Sequence, residues 1–158
     1  AERIIWGEGS GTDLITYDTT YGKVGGLICW ENYMPLARLT LFQQSIEIYL
    51  APTADHRDSW QHTIRHIACE GRCYVLSCNQ FVTKRDYPTD LPGEDLSGFD
   101  EIMSRGGTTV IDPLGNELIQ PLWDQPGIIM ADLLSDVLVQ SKMDFDVVGH
   151  YARNDLFR

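Results

Sequence analysis

Residues 25–36, GGLICWENYMPL, constrain the fold most strongly because they change from a strand pattern to a helix pattern within one short stretch. The apolar run at 24–29 predicts a buried strand, and Pro35 suits the first turn of a helix. A cysteine at such a turn holds its sulfur outward, near the unpaired N–H groups of the helix N-terminus. Those donors favour the thiolate, which is the reactive form. Cys29 is therefore the best candidate for a nucleophile, although buried cysteines at strand ends also act as small apolar residues.

Strand and helix patterns alternate along the rest of the chain. Helical spacing predicts helices at 35–44 and 59–71, the second with an apolar face made of Trp60, Ile64, Ile67 and Ala68. Short apolar or alternating runs predict a hairpin from 14–17 and 24–29, and further strands at 46–50, 74–78, 108–111, 117–119 and 127–133. A short helix is predicted near 136–142, and residues 83–105 are predicted to form a long surface loop. This interleaving predicts an α/β layered fold.

The composition limits the classes of partner and location. With 158 residues and 43% hydrophobic content, the chain is long enough for one domain, 1–158, with a real core. A formal charge of −11 argues against nucleic acid and against an anionic membrane surface as partners. No run is long enough to span a bilayer, and the N-terminus lacks a signal pattern. The few cysteines predict free thiols in a reducing compartment, and hence a cytoplasmic location.

A second group of reactive side chains falls on the helix predicted at 59–71. The helical spacing i, i+4, i+7 and i+11 is shared by His62, His66, Cys69 and Cys73. A histidine pair at this spacing can bind zinc, but eleven residues of helix rise about 16 Å, so the four side chains cannot share one ion. We therefore predict no metal and interpret the stripe as a packing surface. A cysteine–histidine protease stays open as an alternative, with four candidate partners for the thiol: His56, His62, His66 and His150.

Five stretches carry a resemblance to a known family. They are 22–38 (GKVGGLICWENYMPLAR), 46–55 (IEIYLAPTAD), 60–81 (WQHTIRHIACEGRCYVLSCNQF), 106–115 (GGTTVIDPLG) and 148–155 (VGHYARND). With them the chain resembles the C-terminal half to two-thirds of a nitrilase, in the nitrilase branch of the carbon–nitrogen hydrolase superfamily. The Cys-Trp-Glu-Asn run is similar to nitrilases and cyanide-converting relatives rather than to amidases. One departure is Asn154, where the family has proline.

The resemblance implies roles for individual residues. Cys29 corresponds to the nucleophile, and Glu2, in an E-R-x-x-W-G context, corresponds to the second glutamate of the family's catalytic set. Taken alone, Glu2 and Glu31 are equally typical of solvated carboxylates. The family's general-base Glu and its Lys are expected before Ala1, and neither Lys23 nor Lys84 occupies that motif. The backbone N–H of Trp30 resembles an oxyanion-hole donor, and the remaining expected pocket residues are Glu31, Tyr33, Thr53, Ala54, Trp60 and Phe81.

The resemblance also implies a fold and a reaction. The expected fold is an α-β-β-α sandwich, present here as a partial domain without its N-terminal part. It is expected to dimerise through the helices at 34–44 and 60–71 and to build larger spirals through 83–105. The expected reaction converts an organic nitrile to a carboxylic acid and ammonia, without metal or cofactor. A cyanide hydratase or dihydratase and a non-catalytic assembly fragment are the alternatives. The chain is expected to be inactive when isolated.

Overall fold

Four α-helices and seven strands make up the described chain. A computed structural model describes residues 2–88 and 95–156, apart from the side chains of residues 2 and 3. The helices are α1 (Glu2–Ile5), α2 (Pro35–Gln43), α3 (Asp58–Gly71) and α4 (Ser135–Asp144). The strands are β1 (Tyr17–Thr19), β2 (Gly22–Gly26), β3 (Ile48–Leu50), β4 (Tyr74–Ser77), β5 (Phe81–Thr83), β6 (Ile102–Ile111) and β7 (Glu117–Trp123).

The strands form a mixed sheet in the order β1-β2-β3-β4-β6-β5, with β7 also paired to β6. Strands β2, β3 and β4 are parallel to one another, and the helices α2 and α3 connect them. Strands β1 and β6 run antiparallel to β2 and β4, respectively. Because parallel strands end at the same edge, the segments that follow β2, β3 and β4 meet there.

The core lies between α2, α3 and one face of this sheet. Tyr49 pairs with Val75 and Val75 pairs with Ile111, so these three side chains share a face. All three belong to the buried cluster that also contains apolar residues of both helices: Leu41, Phe42, Trp60, Ile64, Ile67 and Ala68. Burying a side chain of this size contributes about 1.5–3 kcal/mol. The apolar stripe predicted for α3 is therefore confirmed, and it explains why α3 docks on the sheet.

The opposite face of the sheet carries apolar residues with partial exposure. Leu50, which alternates with the buried Tyr49, is 41% exposed. The described residues thus form one helical layer and one sheet, which is half of the expected α-β-β-α sandwich. The mixed α/β fold is confirmed for this part of the chain.

Three sequence-based assignments of elements were wrong or displaced. Residues 127–133 form no strand; Leu134, just beyond them, is instead bonded through its backbone to the hydroxyl of Tyr74, at 2.9 and 3.0 Å. The loop predicted at 83–105 ends earlier, because β6 begins at Ile102 and pairs with β5. Part of that predicted loop, 89–94, lies outside the described residues. The first hairpin is present, but its first strand is shifted from 14–17 to Tyr17–Thr19.

Within the described ranges, no helix is long and apolar enough to cross a membrane.

Candidate active site

Cys29 lies on a sharp turn just beyond the end of β2. Its backbone N–H donates to the carbonyl of Pro52 at 2.8 Å, and the N–H of Leu27 donates to the carbonyl of Leu50 at 3.2 Å. Cys29 itself has φ +50° and opens a 3-10 helix, Cys29–Tyr33, which precedes α2. A positive φ at a residue with a β-carbon costs free energy, so the surroundings must hold it. The predicted turn is present, with the 3-10 helix between the thiol and α2.

Asn32 holds this turn from the inside of the protein. Its side-chain amide donates to the carbonyls of Leu27 and Cys29, both at 2.8 Å, and its oxygen accepts from the hydroxyl of Tyr49 at 2.8 Å. Asn32 is fully buried, and burial raises the pKa of Tyr49 far above its ordinary value, so this phenol stays a donor. The guanidinium of Arg38, paired with Glu70, donates to the Asn32 carbonyl at 2.6 Å. Neither Asn32 nor Arg38 was predicted as a supporting residue.

Thr53 contacts the sulfur directly. It follows β3, and its hydroxyl donates to Cys29 Sγ at 3.2 Å while accepting the backbone N–H of Asp55 at 2.9 Å. Its own backbone N–H donates to the Cys78 carbonyl at the end of β4, at 2.9 Å. A hydrogen bond donated to sulfur favours the thiolate over the thiol. The sequence-predicted residues Cys29 and Thr53 are therefore adjacent in space.

Asp55 organises the polar groups beside Trp30. Its carboxylate accepts the Trp30 indole N–H at 2.9 Å and the Nε–H of Arg57 at 2.7 Å. The guanidinium of Arg57 also lies over the Trp30 ring, 5.2 Å from its centroid. The hydrogen bonds from Arg57, together with the weaker effect of the Trp30 bond, lower the pKa of Asp55 to about 2 against the opposing effect of burial. Neither Asp55 nor Arg57 was predicted as a site residue.

Tyr33 and Trp60 extend the aromatic surface from Trp30 toward the core. The ring of Tyr33 makes edge contacts with Trp30 and Trp60, with centroids 6.5 and 6.3 Å apart, and its hydroxyl accepts a bond from Thr63 at 3.3 Å. Trp60 is fully buried and its indole donates to Ser77 at 2.9 Å. Trp60 thus reaches this surface only through the Tyr33 ring.

The other predicted residues have different surroundings. Glu31 caps the turn, since its carboxylate accepts the backbone N–H of Ile28 at 2.7 Å. Ala54 is exposed between Thr53 and Asp55. Phe81 begins β5 opposite Arg105, and no described contact joins it to Cys29. Glu2 begins α1, but its side chain lies outside the described part of the structure.

The histidines form no hydrogen bond with Cys29 in the described chain. The cysteine–histidine protease therefore has no thiol–imidazole pair to support it there. The predicted four-residue stripe is also wrong in one member, because α3 ends at Gly71, Arg72 adopts a left-handed conformation, and Cys73 lies beyond the helix. Among residues 2–88 and 95–156, no group of three or more His, Cys, Asp or Glu side chains could hold a metal ion.

Two shallow grooves lie among the described residues, and Cys29 lines neither of them. The larger, about 390 Å³, is lined by α2 and α3 residues together with Tyr33. The smaller, about 290 Å³, lies beside the β1–β2 hairpin. In the described chain, the turn around Cys29 combines a nucleophilic thiol, a hydroxyl that donates to its sulfur, and the neighbouring polar groups of Asp55 and Arg57.

Curated relatives match nearly the whole chain. It is 48% identical to an aliphatic nitrilase from Sinorhizobium fredii, covering 100% of this chain and 51% of that protein. It is 46% identical to an arylacetonitrilase from Trametes versicolor, covering 99% and 53%. It is 49% identical to a bifunctional nitrilase/nitrile hydratase from Nicotiana tabacum, covering 98% and 46%. The chain therefore spans about half the length of the curated relatives it matches.

Solved structures share the fold at lower identity. A carbon-nitrogen hydrolase from Helicobacter pylori superimposes with a TM-score of 0.70 at 19% identity, covering 90% of this chain and 50% of that one. A branch 10 nitrilase-superfamily protein from Saccharomyces cerevisiae gives 0.70 at 20% identity, covering 93% and 49%. The family model for carbon-nitrogen hydrolases matches residues 1–142. On this match over most of its length, the chain belongs to the carbon-nitrogen hydrolase family.

Proposed function

We propose that the full-length protein containing this chain is a thiol hydrolase that converts an organic nitrile to a carboxylic acid and ammonia. The observation that carries the proposal is the hydrogen bond from Thr53 to Cys29 Sγ on a constrained turn, in a chain whose relatives are named nitrilases. A thiol on a strained strand-end turn, with a donor to its sulfur, suits nucleophilic attack.

The proposed reaction has two covalent stages. The Cys29 thiolate attacks the nitrile carbon, a C–S bond forms, and the nitrogen takes up a proton to give a thioimidate. Water adds to the same carbon and ammonia leaves, which produces a thioester. A second water hydrolyses the thioester, so that the carboxylic acid is released and the thiol is regenerated. The nitrile thus consumes two waters and yields one acid and one ammonia.

Other residues take supporting roles in this proposal. The backbone N–H of Trp30 is the proposed donor to charge that develops on the substrate during attack. Glu2 is the proposed second glutamate, and the proton-shuttling Glu and the charge-stabilising Lys are proposed to come from the part of the protein that precedes Ala1. Tyr33 and the Trp30 ring form the proposed apolar wall of the pocket, since both are partly exposed and in contact.

The substrate class is proposed from the relatives. Two of them are named for aliphatic nitriles and arylacetonitriles, so we propose nitriles with an aliphatic or arylmethyl group as substrates. A third is named bifunctional nitrilase/nitrile hydratase, which favours release of some amide as a second product. The amide forms if the tetrahedral adduct expels the thiolate instead of ammonia.

The test compares two cysteine substitutions in the full-length protein. Ammonia, acid and amide are quantified with a panel of aliphatic and arylacetonitriles. Cys29→Ala is expected to abolish turnover, whereas Cys78→Ala, which removes an exposed thiol, is expected to retain it. Turnover of no nitrile by the parent protein, or retained turnover in Cys29→Ala, overturns the proposal.

We also propose that α2 and α3 form a surface between copies of the protein. The support is that Met34, just before α2, and Leu36, in its first turn, are 56% and 77% exposed and could be covered by a second copy. Leu36→Glu is expected to lower the oligomeric state in sedimentation, while an unchanged state contradicts the assignment. The cytoplasmic location stays a prediction.

A further inference from the structure

We propose that Asp55 is a positioning residue for the Cys29 site, because one buried side chain fixes both the Trp30 indole and the Arg57 guanidinium, and its backbone fixes the Thr53 hydroxyl. The inference rests on the proposed function, since it assigns Asp55 a role in the same thiol chemistry. Asp55 touches no reacting atom; it acts through the residues that do.

The carboxylate is anchored below two exposed groups. The Asp55 side chain is only 4% exposed, whereas the Arg57 side chain is 57% exposed. Trp30, which is also 57% exposed, reaches the same carboxylate with its indole N–H. Exposed long side chains keep their rotamer freedom unless a partner holds them. The buried Asp55 carboxylate is therefore what orders the Trp30 indole and the Arg57 guanidinium at the surface.

The backbone of Asp55 is fixed on the opposite side. Its carbonyl accepts the side-chain amide of Asn79 at 2.9 Å, and the same amide donates to the Gly106 carbonyl of β6 at 2.7 Å. Its N–H donates to Thr53 Oγ1 at 2.9 Å. That bond leaves the Thr53 proton free to point at sulfur, because a hydroxyl has only one proton to donate. The sheet, Asp55, Thr53 and Cys29 therefore form one continuous hydrogen-bonded chain.

The Asp55 anion also holds a positive charge beside the residue that follows the nucleophile. The hydrogen bonds to Asp55 and the charge of that carboxylate raise the pKa of Arg57. The Arg57 guanidinium lies over the Trp30 ring, 5.2 Å from its centroid, and Trp30 immediately follows Cys29. Loss of the Asp55 anion weakens the hold on both groups. We therefore expect a loss in the chemical step rather than in substrate binding.

The experiment measures kcat and KM separately in the full-length protein, using the best nitrile of the panel. Asp55→Asn is expected to lower kcat about tenfold with KM changed less than about twofold, the size expected when a charge-assisted hydrogen bond is lost. Asp58→Asn, an exposed aspartate three positions along the chain, is the matched control and is expected to keep the parent kinetics. Trp30→Phe removes the indole donor and is expected to cause a similar loss. The double variant Asp55→Asn/Trp30→Phe is expected to lose less than the product of the two single losses, because both substitutions act on the contact between Asp55 and Trp30.

Two outcomes overturn the inference: parental kcat in Asp55→Asn, or losses that multiply in the double variant. If Asp55→Asn does not fold, Arg57→Gln removes the guanidinium that binds the same carboxylate. An unchanged kcat in Arg57→Gln would then overturn the inference equally. The parent protein and Cys29→Ala are measured in the same experiment, so failure of the proposed function can be distinguished from failure of this inference. The proposed function fails if the parent turns over no nitrile or if Cys29→Ala retains turnover.

Discussion

Replacing Thr53 with valine tests the contact on which the proposed chemistry depends. Thr53→Val keeps the β-branched shape but removes the hydroxyl that donates to Cys29 Sγ at 3.2 Å. It also leaves the Asp55 N–H without its acceptor, so the free energy of unfolding is expected to fall by about 1 kcal/mol. The main expected effect is on the thiolate, which loses its donor.

The magnitude follows from the type of bond. A hydrogen bond to a charged group contributes about 1.5–3 kcal/mol, and sulfur is a weak acceptor, so the lower end applies. A free-energy difference of about 1.4 kcal/mol corresponds to a tenfold change in an equilibrium constant. We therefore expect Cys29 to be alkylated up to about tenfold more slowly at neutral pH in Thr53→Val.

The assay follows the rate of iodoacetamide labelling of each cysteine peptide by mass spectrometry at neutral pH. Cys78, which is exposed, serves as the internal standard. Cys73 should stay unlabelled in the native protein, because burial raises its pKa to about 12. Thr40→Val is the matched control, since that hydroxyl donates only to the Leu36 carbonyl of its own helix. An unchanged rate of Cys29 labelling in Thr53→Val, or an equal decrease in Thr40→Val, refutes the reasoning.

Three further predictions concern the scaffold around the site. Asn32→Ala is expected to lower the free energy of unfolding by about 2–4 kcal/mol in urea titrations, because the Tyr49 hydroxyl and the Leu27 and Cys29 carbonyls lose this hydrogen-bond partner. A loss below about 1 kcal/mol contradicts this. Gly26→Ala is expected to prevent native folding, judged by circular dichroism, because its β-carbon would lie 2.0 Å from the Leu50 carbonyl oxygen; a native spectrum counts against it. The pKa of Asp55 falls from 3.8 to about 2 on folding, so its ion pair stabilises the protein fully above about pH 4 and is lost as the pH falls through 2. This loss, about 1–2 kcal/mol after allowance for the exposed partner, should be absent in Asp55→Asn, and an identical pH profile in that variant contradicts the assignment.

The sequence was most informative where a local period determines the structure. The helical spacing of Trp60, Ile64 and Ile67 predicted the buried face of α3, and all three are fully buried. The turn at Cys29 was also predictable, because an apolar run followed by polar residues and Pro35 has few other solutions. In these cases neighbours along the chain carry the information.

The supporting residues were not predictable because their partners are distant in sequence. Asn32 contacts Tyr49, and Asp55 contacts Trp30, so neither contact leaves a mark within one turn or strand. The missed Arg38 reaches Glu70 across two helices for the same reason. Conversely, residues 127–133 have the apolar pattern of a strand but pair with no strand in the described chain. The side-chain pattern alone does not show whether a partner strand is present. A dense cluster of Thr, Asp and Arg directly after a predicted strand, as in 53–57, is the signal that could have pointed to Asp55.

Direct trapping of the intermediate tests the central claim that Cys29 is the nucleophile. The full-length protein is mixed with a slow arylacetonitrile, quenched in acid, digested and analysed by mass spectrometry. The proposed chemistry predicts the mass of the thioimidate or thioester on the peptide that contains Cys29, and on no other cysteine peptide. Turnover without an adduct on Cys29, or with an adduct on Cys78 instead, would contradict it.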